Sequence, residues 1–311
     1  MRTDDPEFPT HKANYRDFLR STAQYHQPIP IHDDTIQRKI HHTYRLQFLK
    51  DVVLARSIDD SAFNVLNSCI IFNQIDIITH VQTDPAFLRD VAGIFMDEDV
   101  IASHGFGIPG KDKEKASNSN TNTNVGTSDA SQSNGEQPES QGKEDDVQRK
   151  REVVYLVQQL CAMAKNVQVG AKTALLRTLV DRGIVFLVQW ALGQPESDPE
   201  GKGMIAAAGD ILTPLLEFDL IGVRGHVVKQ LISPDREKDA GKKVEKGKER
   251  ETLLLLLCKV LVRSKDLAIQ TQVGEHLKMF LEVPLSDAEP HVSLNFDSLV
   301  LDHLTLSDHS L

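Results

Sequence analysis

Residues 33–52 read DDTIQRKIHHTYRLQFLKDV, and their spacing decides the fold. Ile36, Ile40, Tyr44, Phe48 and Val52 recur every fourth residue, with Arg38, Lys39, Arg45 and Lys50 between them. At 3.6 residues per turn this lays one apolar stripe along a helix and turns the charges toward water. Asp33 or Asp34 suits the N-cap, where a carboxylate accepts from a free first-turn amide.

The same grammar repeats on the C-terminal side. Asp59-Asp60 opens a second helix, with Phe63, Leu66, Ile70, Ile71, Ile75 and Ile78 at three-and-four spacing to about Val81. Asp84-Pro85 is a cap followed by proline at the first helical position, where the missing amide costs nothing, and Phe87, Leu88, Val91 and Phe95 continue the stripe. Helices are expected again in RKREVVYLVQQLCAMAK and VGAKTALLRTLVDRG, where Gly183 is placed to end a helix in the left-handed conformation. Ile184–Leu192 is the next helix, and Gln194–Gly203 a loop. MIAAAGDILTPLLEFDL should be kinked or ended by Pro214, and Val223–Ile232, ETLLLLLCKVLVRSKD and LAIQTQVGEHLKMFLE follow.

No segment shows strand alternation or a hairpin turn between apolar runs, so the expectation is all-α. Helices joined by short turns suit a HEAT- or armadillo-like solenoid with divergent repeats and disordered insertions, with a closed bundle as the alternative. The expected organisation is an N-terminal helical segment 1–27, a first repeat segment 28–104, an insertion 105–146, a second repeat segment 147–283 with a polar loop 233–250, and a loose tail 284–311. Lys111–Asp146 holds almost nothing able to enter a core and should be disordered.

The 311 residues are 40% hydrophobic and 26% charged, with net charge −10, the balance of a soluble globular chain. That acidity opposes direct nucleic-acid binding, which needs clustered Lys and Arg. The longest apolar run, Leu253–Leu257 with Cys258, is stopped by Lys259, far short of the ~20 residues of a membrane span. Cys69, Cys161 and Cys258 lie far apart in helical stretches, which predicts three buried, reduced thiols in a nuclear or cytoplasmic protein.

Each apparent catalytic motif fails on its context. Gly105, Gly107 and Gly110 satisfy G-x-G-x-x-G, but Pro109 and a polar run follow where a helix should meet the phosphates. His41 and His42 point about 100° apart on a helix and cannot share a metal ion. Gly209-Asp210 continues as Ile211-Leu212, so the metal-binding G-D-x-H-G signature is absent, as is the G-x-S-x-G elbow. The stretch GKKVEKGKER, broken by Glu245 and Glu249, reads as a solvated loop or an import signal. The chain is expected to be non-enzymatic, without cofactor, metal, membrane or small-molecule ligand.

Three segments carry a resemblance to a known family. PIPIHDDTIQRKIHHTYRLQFLKDVVL (Pro28–Leu54), then FNVLNSCIIFNQIDIITHVQTDPAFLRDV (Phe63–Val91), and later DILTPLLEFDLIGVRGHVVKQ (Asp210–Gln230) are similar to the helical domain of the protein phosphatase 4 regulatory subunit 3, or suppressor-of-MEK, family. The resemblance implies a scaffold joining the phosphatase 4 catalytic subunit, a second regulatory subunit and substrates. It also implies an EVH1-like domain before this region and further helices beyond Leu311, so this chain is expected to be part of a longer one. Tyr44, Arg45, Phe72, Asn73 and Phe87 lie in the most similar segments and are the candidate partner-binding residues. The competing reading is a transport-type or general adaptor solenoid. It lacks the tryptophan and asparagine ladders of import receptors, since Trp190 is the only tryptophan.

Overall fold

The chain enters its fold through a small hairpin where the sequence suggested helix. In the computed structural model, which describes residues 3–5, 8–13, 15–23, 26–55, 57–96, 139–239 and 251–282, strand β1 (Thr3–Asp5) pairs antiparallel with β2 (Phe8–Ala13). Neither strand alternates apolar with polar residues, so the sequence carried no strand signal. A short turn, α1 (Tyr15–Asp17), continues as a π-turn over Phe18–Thr22.

The next three helices start on the predicted aspartates. Asp33 accepts from the amides of Thr35 at 2.7 Å and Ile36 at 3.1 Å to open α2 (Asp34–Phe48). Asp59 accepts from Ala62 at 2.7 Å to open α3 (Asp60–Thr83). Asp84 accepts from Ala86 and Phe87 ahead of α4 (Pro85–Gly93), with Pro85 in its first turn. The contacts Lys39 with Asp76 and His42 with Asn73 run in opposite senses, so α2 and α3 are antiparallel.

Helix α5 (Glu139–Met163) begins inside the stretch expected to be disordered through Asp146. Within it, Asp146 pairs with Lys150 one turn on at 2.6 Å. The remainder of that insertion, 105–138, and the tail 284–311 lie outside the described residues. After α6 (Val169–Asp181), Gly183 adopts φ 82°, the left-handed position predicted for it. Helix α7 (Ile184–Leu192) buries every residue but Trp190 and forms the centre of the core.

Helix α8 (Pro199–Asp239) departs from expectation in three ways. It starts at Pro199 within the expected loop, because Asp198 accepts from Glu200 and proline fits the first helical position. It stays helical through Pro214. It breaks at Asp219 (φ −147°, ψ 49°), where the carboxylate accepts from the Gly222 amide and recaps the chain. An internal N-cap therefore marks the break. Its end at Asp239 also takes in 233–239, expected to be loop. The rest of that loop, 240–250, is not described. Helices α9 (Leu253–Arg263) and α10 (Leu267–Glu282) complete the fold.

The helices stack in two rows. Helix α4 packs on α7 and α7 on α9, while α3 packs on α5, α5 on α8, and α8 on α10. One apolar cluster runs through both rows from Ile29 to Phe280. This is an all-α helical-repeat solenoid with the terminal hairpin as an addition. Buried Gln189 satisfies its amide by exchanging hydrogen bonds with Gln230 (3.1 and 2.8 Å) and donating to the Glu251 carbonyl at 2.9 Å, which ties α7 to α8 and to the start of α9. Of the three thiols, only Cys161 is fully buried. Cys258 is half-buried, and Cys69 is exposed.

Candidate partner-binding surfaces

The five residues singled out from the sequence divide between surface and core. Phe72 is 68% exposed on α3, Tyr44 is 48% exposed on α2, and Arg45 is exposed beside it. Asn73 is half-buried, its side-chain nitrogen 3.2 Å from Nδ1 of His42, so it joins α2 to α3. Phe87 is 3% exposed and belongs to the core, because its place in the first turn of α4 points it at the α3–α5 seam. This agrees with its place in the apolar stripe of α4. Phe63, expected in the core stripe, is 41% exposed, with the Lys50 ammonium 5.2 Å from its ring centre.

A cavity of about 510 Å³ brings Tyr44 and Phe87 to one place. Its floor is Ile77, Val81 and Phe87, its sides are Ile40 of α2 and Leu156 and Leu160 of α5, and the segment 26–31 closes one end. Tyr44 and Tyr155, the latter 42% exposed, stand at its rim. The volume lies in the range of ligand and anchor pockets, and the walls are apolar.

A second depression, also about 510 Å³, lies on the face shared by α5, α8 and α10. Here a polar row crosses three helices. Asp210 accepts from Gln158 Nε2 at 2.8 Å on one oxygen and from Gln272 Nε2 at 3.1 Å on the other. Gly209 makes this approach feasible, since a Cβ there would lie 2.2 Å from the Gln272 amide oxygen. Beyond it, Thr213 donates to the Gly209 carbonyl at 2.9 Å, so its oxygen must accept from His276 Nε2 at 2.8 Å. That fixes the tautomer of His276 and leaves its buried Nδ1 without a donor. Burial pushes the His276 pKa down to about 4, despite the opposing field of Asp210. Lys165 and Lys172 border the row, with the Lys172 ammonium 3.8 Å from the Phe218 ring centre. Sequence reading missed this row. Its members are single polar residues on three separated helices, and only the glycine beside Asp210 hinted at a close approach.

Among the described residues no three His, Cys, Asp or Glu side chains converge as metal ligands, and no helix is long and apolar enough to cross a membrane. The first depression is lined mainly by apolar and aromatic side chains, and the second by amide, carboxylate and lysine side chains. The Cys161 thiol is pushed up to about 12 by burial.

The sequence pattern described as phosphatase 4 regulatory subunit 3 matches residues 4–298. The chain belongs to the phosphatase 4 regulatory subunit 3 family. An uncharacterized protein of Schizosaccharomyces pombe is 30% identical over 297 residues, which is 95% of this chain and 29% of that protein. Serine/threonine-protein phosphatase 4 regulatory subunit 3 of Drosophila melanogaster is 25% identical across 75% of this chain and 19% of its own length. Suppressor of Mek1 of Dictyostelium discoideum is 24% identical across 94% and 22%. The chain thus spans under a third of each of these relatives. No solved structure matches it.

Proposed function

We propose that this chain is the helical-repeat part of a non-catalytic regulatory subunit of a serine/threonine phosphatase 4 complex, and that it helps assemble the catalytic subunit with a second regulatory subunit. The family match across residues 4–298 carries this reading. The architecture supports it, because stacked helix pairs present long continuous faces and a stable protein interface needs about 800 Å² from each partner. Exposed Tyr44, Arg45 and Phe72 are where contact with the catalytic subunit is proposed, because large exposed aromatics and arginines make interface hot spots. We also propose a nuclear or cytoplasmic setting, which suits the exposed, unpaired Cys69.

The test is a pull-down of the full chain against the catalytic subunit, with and without the second regulatory subunit, using wild type and Phe72→Ala/Tyr44→Ala. The proposal expects capture by wild type and at least tenfold weaker capture by the double variant at unchanged melting temperature. Equal capture by both would move the contact to another face, and no capture in either mixture would refute the docking role of this chain.

A further inference from the structure

Helices α2 and α3 share an outer seam whose charge runs against that of the chain. Residues 35–50 hold Arg38, Lys39, Arg45 and Lys50 and no Asp or Glu, and residues 61–75 hold no Lys, Arg, Asp or Glu, in a chain of net charge −10. We propose that this seam docks an acidic, apolar-faced segment of the phosphatase catalytic subunit: a bulky apolar side chain packs on Phe72, and carboxylates beside it pair with Arg38 and Arg45. This rests on the docking proposed above and specifies its chemistry.

Three observations set the cations beside the apolar surface. First, Arg38, His42 and Arg45 stand at the i, i+4, i+7 spacing of one helix ridge, and all three are exposed. Val65, Cys69 and Phe72 repeat that spacing on α3 and are exposed as well, Val65 by 61% and Phe72 by 68%. At 1.5 Å per residue each ridge runs about 10 Å. Second, the two ridges flank one seam. Asp76, the next member of the α3 ridge, pairs with Lys39, and the side-chain nitrogen of Asn73 lies 3.2 Å from Nδ1 of His42. Third, the arginines are not neutralised from within. Asp76 is engaged by Lys39 and Asp51 by Lys50 at 3.3 Å, while Asp34, Asp59 and Asp60 stand at the helix starts. Arg38 donates only to the Asp34 carbonyl, at 3.1 Å, and among the described residues neither Arg38 nor Arg45 forms an ion pair. Exposed aromatic and arginine side chains together are the composition of a protein interface core. The uncharged α3 ridge weighs against nucleic acid, whose phosphates need a continuous basic surface.

The experiment measures the affinity of the full chain for the purified catalytic subunit by biolayer interferometry at about 0.1 M and about 1 M salt, between which the Debye length falls from ~10 Å to ~3 Å. Wild type is compared with Arg38→Glu/Arg45→Glu, Arg38→Lys/Arg45→Lys and Phe72→Ala, and each variant is melted. Wild type should bind at least tenfold more weakly at the higher salt, chiefly through slower association. The glutamate pair should bind at least tenfold more weakly than wild type at the lower salt and lose the salt dependence, whereas the lysine pair should keep both within about threefold because it retains the charge. Phe72→Ala should weaken binding at least threefold and keep the salt dependence. Both arginines are exposed, so melting should not change, and the salt dependence of wild type still decides should the glutamate pair disturb the fold. Wild-type affinity indifferent to salt, or full-strength binding by the glutamate pair or by Phe72→Ala, overturns this chemistry and leaves docking itself standing. No binding by wild type at either salt overturns the docking and this proposal with it.

Discussion

Single side chains in this protein reveal their surroundings through titration and reactivity. His276 is held neutral by burial, with a folded pKa of about 4 against an ordinary value near 6.5. Its unfolded form therefore binds a proton that the folded form refuses, so the stability it permits is present above pH 6.5 and falls away as pH drops toward 4. At pH 5 the loss relative to pH 8 is about 2 kcal/mol, and urea unfolding at the two pH values should show it in wild type but not in His276→Gln. Thiol reagents should modify Cys69 at once, Cys258 slowly and Cys161 only on unfolding, because burial pushes the last two thiols up and leaves Cys69 accessible. Mass spectrometry of a labelling time course reads that order directly. Phe87→Ala should cost about 3–5 kcal/mol as a core truncation. Phe72→Ala, at an exposed position, should change stability by less than about 0.5 kcal/mol. The sequence placed these two phenylalanines together because both sit in segments resembling the family, but it could not tell their faces apart: Phe87 is buried and lines a cavity with Leu156 and Leu160 of α5, whereas Phe72 is exposed.

At the scale of elements, the aspartate-capped starts of α2, α3 and α4 were legible, whereas the starts of α5 and α8 and the break in α8 were not. Asp33, Asp59, Asp84-Pro85 and Gly183 each carry their conformation in residue type, so their positions could be read locally. The break in α8 was assigned to Pro214, yet Pro214 is helical, and the break belongs to Asp219, whose capping contact to Gly222 appears only once the chain turns back on itself. That contact makes a sharp prediction. Glycine to alanine inside a helix usually stabilises by about 0.5–1 kcal/mol, but a Cβ on Gly222 would lie 2.2 Å from the Asp219 carboxylate. Gly222→Ala should therefore destabilise wild type and become neutral or stabilising in Asp219→Ala, a coupling that a double-mutant cycle measures. Burial also pushes the Asp219 carboxyl up, with Arg177 3.9 Å away as partial compensation. Asp219→Asn, which keeps the cap without the charge, should then be neutral or stabilising at pH 7, whereas Asp219→Ala should cost about 1–2 kcal/mol.

Among the described residues, two rows of helices share one apolar core. The all-α solenoid was legible because amphipathic periodicity recurs from α2 to α10. The polar row of Gln158, Asp210 and Gln272 was not, since its residues come from separated helices and only packing brings them together. Docking of a phosphatase 4 catalytic subunit on this solenoid is the proposal on which the functional reading turns, and light scattering on size-exclusion fractions of the purified pair decides it. The account predicts a peak whose mass equals one chain of 34.7 kDa plus one catalytic subunit, with phosphatase activity in that peak contributed by the catalytic subunit. Two separate peaks at micromolar concentration, with and without the second regulatory subunit, would contradict it.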